Sequence, residues 1–280
     1  MRPEDGVDEP EAASDEPADP GLPAGAPDPL DGGAAGGPRA SAPTFAGTLR
    51  RLALRTRLGS LALVSGGVGL WFAAQLVAGL VLGVGFVIAS GGKTEGLQEF
   101  VVRCTPLLVL VSTLAALAVV GSLHLLRTLP ATPAAASPGR TALWVLGLWL
   151  ACLGGQAAIG WGQSQAGLEW AEQEMFTQGL KQEGWLLLAL AIVILAPLGE
   201  ELLFRRMAYA ALAGPWGRPL AAAATALLFA AVHMNLAGLF LYVWLALCCT
   251  VAYERCGRSS AAIAVHGLNN LVAAVSIAAA

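Results

Sequence analysis

Two adjacent glutamates and three histidines are the residues of this sequence whose types and spacing could do chemistry. Glu200 and Glu201 lie within an apolar run, and the histidines are His124, His233 and His266. A carboxylate and an imidazole can together deprotonate a water molecule. A second imidazole and an amide can donate hydrogen bonds to an oxyanion. Together these groups are sufficient to hydrolyse a peptide bond with an activated water.

The two glutamates are predicted to differ in role. A charge at the centre of a membrane helix costs about 2.5–3.5 kcal/mol on insertion scales, so such residues normally have a partner. Arg205 follows Glu201 by four residues, the favoured spacing and order for a helical ion pair. Glu200 points about 100° away around the helix and remains the candidate base. Pro197 is expected to open the helix near the carbonyl of Val193.

The remaining polar residues recur at helical spacing in two further apolar segments. Phe229 and His233 share one helix face, and His266 and Asn270 share another. Glu200 and His233 are equidistant from the Gly-Pro-Trp-Gly-Arg-Pro turn between their helices, so they are predicted to lie at one depth. Asn270 is expected at a similar depth. His266 is expected one helical turn closer to the connection between its helix and the preceding one. The four side chains are therefore predicted to converge.

A metal centre is the alternative that these residues leave open. Glu200, His233 and His266 could ligate a divalent ion such as zinc, which would generate the hydroxide. The H-E-x-x-H zinc motif of soluble metalloproteases is absent from the sequence. Spacing alone does not decide between a metal-bound and a carboxylate-activated water, and no cofactor is certain.

Composition assigns the chain to the membrane. Of its 280 residues, 56% are hydrophobic and 12% are charged, against about 25% charged in soluble domains. So few charges cannot cover a soluble protein of this size. The net charge of −3 and the lack of a basic stripe also exclude nucleic acid as a partner. The sequence therefore predicts a polytopic membrane protein with the lipid bilayer around it.

Charge divides the chain into two predicted regions. Ten of the 19 acids lie within the first 31 residues. Residues 1–57 are predicted to be a disordered, acidic, Pro/Ala/Gly-rich cytoplasmic tail that ends in a basic juxtamembrane stretch. Residues 58–280 are predicted to form the transmembrane helical domain.

The predicted fold is an all-α bundle of about seven transmembrane helices. A helix needs about 20 apolar residues to cross the hydrocarbon core. The candidate segments are 59–90, 104–126, 141–162, 185–213, 219–234, 236–256 and 260–279. With the N-terminus inside, nine arginines fall on the inner side and three basic residues on the outer side. The positive-inside rule therefore predicts a cytoplasmic N-terminus.

The three motifs together resemble the signature of the CAAX protease and bacteriocin-processing (CPBP, Abi) family of intramembrane endopeptidases. They are Glu200-Glu201-x-x-x-Arg205, Phe229-x-x-x-His233 and His266-x-x-x-Asn270. The resemblance covers roughly residues 140–280, the expected protease core. It implies an all-helical protease related to the eukaryotic enzyme that trims prenylated CaaX proteins.

The resemblance also implies a role for each motif residue. Glu200 would be the general base, and His233 would help to activate water. His266 and Asn270 would form the oxyanion hole, while Glu201 and Arg205 would be the structural pair. The family is often called a metalloprotease, although a mechanism that uses glutamate and water without metal is also held for it.

The function expected from the sequence is hydrolysis of peptide bonds in membrane-tethered protein or peptide substrates. The expected location is the inner (plasma) membrane of a bacterium. Two other classes stay open: a transporter in which Glu200 and the histidines relay protons, and a non-catalytic, immunity-type membrane protein.

Overall fold

A computed structural model describes residues 48, 56–125, 129–130, 132–168, 174–181 and 185–279, and within these residues it contains helices and no strands. All the helices lie in one compact unit, Pro43–Ala280. They are α1 Arg57–Ala89, α2 Leu97–Leu125, α3 Pro138–Gln165, α4 Glu174–Leu180, α5 Trp185–Trp216, α6 Arg218–Val232, α7 Leu239–Cys256 and α8 Ser259–Ala279.

The all-helical membrane fold is confirmed. Six described helices, α1, α2, α3, α5, α7 and α8, are long and apolar enough to cross a membrane. The segment predicted at 219–234 forms α6, which has only 15 residues and is therefore about 22 Å long. That length is less than the hydrocarbon core of about 30 Å, so α6 alone is too short to span a membrane. The predicted tail, apart from Thr48, Thr56 and Arg57, lies outside the described residues.

Successive helices alternate in direction, which places several arginines at one end of the bundle. We call this end the arginine side; the described arginines at its helix ends are Arg57, Arg140, Arg218, Arg255 and Arg258. Lys93, Arg103 and Lys181 lie at the opposite end. This asymmetry of basic residues between the two ends is the basis for predicting a cytoplasmic N-terminus, and that orientation stays a prediction.

The helix that carries both glutamates is not a regular α-helix. Within α5, Ala191–Leu195 and Leu202–Tyr209 are π-helical, and Ala196–Glu201 between them is α-helical. Pro197 lacks an N–H group, so the backbone before it cannot keep an unbroken hydrogen-bond ladder. The kink predicted near Val193 takes the form of this π-helical segment.

Neighbouring helices bond to carbonyls in the irregular part of α5. The Thr113 hydroxyl donates to the Leu195 carbonyl over 2.8 Å, and the Asn270 amide donates to the Ile192 carbonyl over 2.8 Å. Thr113 lies on α2 and Asn270 on α8, so these two bonds hold α5 from both sides. The segment before the glutamates is thereby fixed despite its irregular backbone.

Two glycines allow this close packing. A Cβ atom at Gly199 would lie 2.9 Å from the Cα atom of Thr113, and one at Gly267 would lie 2.7 Å from the Val193 oxygen. Both neighbours are backbone atoms, which cannot move aside as a flexible side chain would. Glycine is therefore required where α5 meets α2 and where it meets α8.

Gly267→Ala is expected to destabilise the bundle by about 1–3 kcal/mol, the usual cost of overpacking a filled core. The added methyl group must push α8 away from the Val193 carbonyl. Thermal unfolding of the detergent-purified protein measures the effect. Gly69→Ala is the matched control, because a Cβ atom there meets nothing within 4 Å. Equal melting temperatures for the two variants would contradict the close approach of α8 to α5.

Candidate active site

Glu201 is the centre of a buried charge network. Its side chain is 0% exposed, and that of Arg205 is 2% exposed. Arg205 Nη1 donates to Glu201 Oε1 over 2.9 Å, and Arg205 Nη2 donates to the Ala246 carbonyl over 2.9 Å. His266 Nδ1 lies 2.8 Å from the same Glu201 oxygen. The predicted pair between Glu201 and Arg205 is therefore present, and His266 joins it.

Glu200 has a different environment. Its side chain is 18% exposed, and its Oε2 atom lies 3.9 Å from His266 Nε2. That distance is too long for a direct hydrogen bond. Within the part of the chain that the structure describes, Glu200 Oε2 is buried and has no hydrogen-bond partner. The neighbouring glutamates thus differ in their surroundings: Glu201 is fully buried and bonded to Arg205 and His266 through Oε1, whereas Glu200 is partly exposed and has no arginine partner among the described residues.

The ring of Phe229 joins the three motifs. It lies 4.9 Å below the Arg205 guanidinium, 4.6 Å from the His233 ring and 5.7 Å from the His266 ring. Phe204 packs edge-on against it at 5.2 Å. Cation–π and edge-to-face contacts of this kind favour one arrangement of the rings. Phe229 is 0% exposed and holds these side chains in fixed relative positions.

His233 is oriented by its own helix and by Tyr242. Its Nδ1 atom lies 2.7 Å from the Phe229 carbonyl oxygen. Because a carbonyl only accepts, Nδ1 carries the proton, and in the neutral ring Nε2 is the basic nitrogen. The ring stacks on Tyr242 at 4.3 Å between centroids. A turn with Met234 at φ 52° returns the chain from α6 to α7 and places Tyr242 there.

Tyr242 was not singled out in the sequence analysis. The signal that could have found it is a tyrosine in the first turn of the helix that follows the His233 motif. The stacking requires a hairpin between α6 and α7, and the turn geometry is needed to know which residue returns over the imidazole. Tyr242 is a positioning residue, since its ring stacks on the His233 imidazole.

Tyr242→Ala is expected to lower activity at least tenfold, and Tyr242→Phe is expected to retain most of it. The stacked ring holds His233 in place, and phenylalanine keeps that ring without the hydroxyl. Cleavage rates of a membrane-tethered reporter peptide provide the comparison, with kcat and KM determined separately. A loss in Tyr242→Phe as large as in Tyr242→Ala would show that the hydroxyl, not stacking, is what matters.

The structure changes the predicted depth of two residues. His266 lies beside both glutamates, whereas Asn270 bonds to Ile192, eight residues before Glu200. The sequence instead predicted that Asn270 would be level with Glu200 and that His266 would lie one helical turn closer to the connection between α7 and α8. The π-helical segment Leu202–Tyr209 contributes to this difference. A π-helix has more residues per turn and less rise per residue, so Glu200 lies closer to the arginine side than an α-helix would place it.

One cluster of described residues has metal-binding geometry. Ligand atoms of Glu201, Cys249 and His266 lie within 4.8 Å of one another, and all three residues are buried. Glu201 is already bonded to Arg205, and Cys249 Sγ lies 3.7 Å from the Ala262 carbonyl. These bonds would have to change for a metal to bind there. The zinc set predicted from the sequence, Glu200, His233 and His266, differs from this cluster and stays a prediction.

Fold and site together define a polytopic helical membrane protein with a buried glutamate–histidine centre. Residues 182–272 match the family model described as Type II CAAX prenyl endopeptidase Rce1-like. All three motifs lie inside the matched segment, so the resemblance to CPBP intramembrane endopeptidases is confirmed. The match covers 91 of the 280 residues, and over these residues the chain is similar to a peptidase family. Searches of curated proteins and of solved structures found no match.

Proposed function

We propose that this protein is an intramembrane endopeptidase in which Glu200 activates the attacking water. The observation that carries the proposal is the contrast between the two glutamates. Each glutamate has a buried Oε2 atom without a hydrogen-bond partner among the described residues. Glu201, however, is fully buried and is held through Oε1 by Arg205 and His266, whereas Glu200 is 18% exposed and has no arginine partner among those residues. A carboxylate that is not neutralised by an arginine can accept a proton from water. The matched peptidase family supports hydrolysis as the reaction.

The proposed reaction begins with a water molecule beside Glu200. The Glu200 carboxylate takes one proton, and the resulting hydroxide attacks the carbonyl carbon of the scissile peptide bond. The carbonyl π bond opens to give a tetrahedral oxyanion. Its collapse breaks the C–N bond, and the proton held by Glu200 passes to the leaving nitrogen. The products are a new carboxyl terminus and a new amino terminus, with one water consumed.

His266 is the proposed donor to the oxyanion. Its Nδ1 atom is held by Glu201, which directs Nε2 towards Glu200. An imidazolium in this position donates from both nitrogens, one to Glu201 and the other to the developing negative charge. Glu201 would then orient His266 and stabilise its positive charge, as the carboxylate of a catalytic triad does for its histidine.

His233 and Asn270 complete the proposed centre. The Nε2 atom of His233 is its basic nitrogen, and it would help to accept the proton from water. One N–H of the Asn270 amide is used by the Ile192 carbonyl. Its second N–H would be the remaining contribution to the oxyanion hole.

A zinc ion is the other way in which this centre could activate water. Glu200 Oε2 is an unpartnered carboxylate oxygen, and oxygen and imidazole nitrogen are ligands that zinc accepts. Glu200, His233 and His266 would hold the ion, which would supply a bound and more acidic water. Glu201 and Arg205 would keep the same structural role.

The substrates are proposed to be membrane-tethered proteins or peptides. Near His233, the turn between α6 and α7 exposes Met234 and Leu236, which are 84% and 83% exposed, and Phe240 follows at 60%. These apolar side chains would contact either lipid or the apolar part of a substrate. A membrane-tethered substrate would then reach the site from the bilayer.

Cleavage of a tethered reporter by the purified protein in liposomes tests the proposed function. The protein should produce a new carboxyl terminus at a defined bond, and mass spectrometry of the products locates it. Activity that survives a chelator, with no metal found by elemental analysis, would favour the metal-free form. Loss on chelation and recovery with zinc would favour the metal form. Proton movement across the liposome without cleavage would instead indicate a transporter.

A further inference from the structure

A cavity of about 460 Å³ opens at the arginine side, away from the glutamate–histidine centre. It lies between α2, the connection from α2 to α3, α5 and the turn between α7 and α8. Its polar lining consists of His124, Thr132, Arg206, Arg258 and Ser259. His124 and Arg206 have no role in the proposed reaction. No carboxylate is among the described residues that line the cavity, so its lining carries positive charge without an internal counter-ion.

Two guanidinium nitrogens at this cavity lack partners. Arg206 Nη1 and Arg258 Nε are buried, and neither makes a direct hydrogen bond among the residues described, although the Tyr253 side chain interacts with the Arg206 guanidinium. The Arg258 side chain is itself held in place, because its Nη2 atom donates to the Ala136 carbonyl over 2.7 Å. A buried donor without an acceptor costs free energy. Both nitrogens would therefore be stabilised by an acceptor that enters the cavity.

The chemistry of the lining selects the acceptor. Guanidinium groups bind phosphate oxygens strongly, and two hydroxyl groups, on Thr132 and Ser259, are available as further donors. The rest of the wall is apolar and includes Leu117, Val120 and Leu202. An inorganic anion would make no use of these side chains. A molecule with a phosphate and an adjoining hydrocarbon part fits both halves of the lining.

The position of the cavity in the bilayer agrees with this chemistry. His124 is next to the last residue of α2, and Arg258 lies in the turn between α7 and α8. Both are at helix ends, where lipid headgroups lie. Leu117 and Leu202 are further along their helices towards the bundle interior. Basic pockets between membrane helices at a headgroup level are typical sites for anionic lipids.

We propose that this cavity binds the phosphate group of an anionic membrane lipid at the arginine side. Arg206 and Arg258 contact the phosphate oxygens, and the apolar wall contacts the adjoining acyl chain. The proposal does not depend on peptidase activity, because none of its residues belongs to the proposed catalytic centre. It assigns a role to Arg206, which follows directly after the buried Arg205.

Native mass spectrometry of the detergent-purified full chain tests the proposal with phosphatidylglycerol as the probe and phosphatidylcholine as the neutral comparison. One phosphatidylglycerol molecule should bind more tightly than phosphatidylcholine. Arg206→Gln and Arg258→Gln should each weaken that binding by about fivefold, the contribution of one basic residue at an anionic surface. Arg206→Lys and Arg258→Lys retain the charge and should lose less than the glutamine variants.

Arg140→Gln is the matched control, since Arg140 lies on the same side but does not line the cavity. It should leave phosphatidylglycerol affinity unchanged. Equal binding of the two lipids, or an equal loss in Arg140→Gln, would overturn the proposal. Protection of thermal unfolding by inorganic phosphate without preference for phosphatidylglycerol would also overturn it in favour of an ion site. If Arg258→Gln does not fold, Arg206→Gln and the two lysine variants still decide the outcome.

Discussion

Glu200→Gln is expected to lower peptide-bond cleavage by at least 10³-fold while the protein remains folded. Glutamine has nearly the shape of glutamate, so it fills the same space beside His266. It cannot accept a proton from water, so the general base is lost, and general acid–base catalysis typically contributes about 10²–10⁴-fold. The variant also cannot deliver a proton to the leaving nitrogen, so we expect a loss in the upper part of this range.

The stability of this variant is expected to match or exceed that of the natural protein. Glu200 Oε2 has no direct hydrogen bond in the described part of the chain, and its contact with His266 Nε2 is long, at 3.9 Å, so removing its charge breaks no close ion pair. Thermal unfolding and reporter cleavage should be measured on the same preparation. Glu95→Gln, a change at an exposed loop position, controls for the loss of one negative charge. Unimpaired cleavage by Glu200→Gln would remove Glu200 from the mechanism.

Glu201→Ala is expected to destabilise the fold by about 3–5 kcal/mol, the usual cost of removing one member of a buried ion pair. Arg205 would be left charged in a site where its side chain is 2% exposed, and His266 would lose the group that holds Nδ1. The yield of folded, detergent-soluble protein and its melting temperature should both fall. Activity per folded molecule should also fall, because His266 is no longer directed towards Glu200.

The chain contains a natural control for this effect. Glu99 and Arg103 form an ion pair with the same four-residue spacing and a distance of 2.7 Å, but their side chains are 57% and 70% exposed. Exposed pairs contribute about 0–1 kcal/mol, so Glu99→Ala should have little effect on stability. A purely catalytic loss in Glu201→Ala, at normal yield and melting temperature, would reverse the roles assigned to the two glutamates.

Much of the fold could be predicted because lipid imposes a simple requirement. A spanning segment must be long, apolar and helical, so the predicted segment 141–162 closely matches α3, Pro138–Gln165. The pair between Glu201 and Arg205 could also be predicted, because helical spacing alone brings residues four apart into contact. Both features depend on local sequence.

The rest of the site depends on contacts between distant segments. His266 and not Asn270 lies beside the glutamates, and the π-helical turns of α5 contribute to this difference by moving Glu200 relative to α8. The stacking of Tyr242 on His233 depends on the turn after α6. Apolar periodicity carries no information on such backbone irregularities. The sequence therefore predicted which helices contribute to the centre, but not the depth of each side chain.

The most direct measurement of the central claim is the formation of new carboxyl termini in membranes that contain the natural protein or Glu200→Gln. The reaction is run in water enriched in oxygen-18, and peptides are identified by mass spectrometry. The account predicts new carboxyl termini on membrane proteins that carry one oxygen-18 atom and are absent with Glu200→Gln. The same labelled termini at the same abundance in both samples would contradict the account.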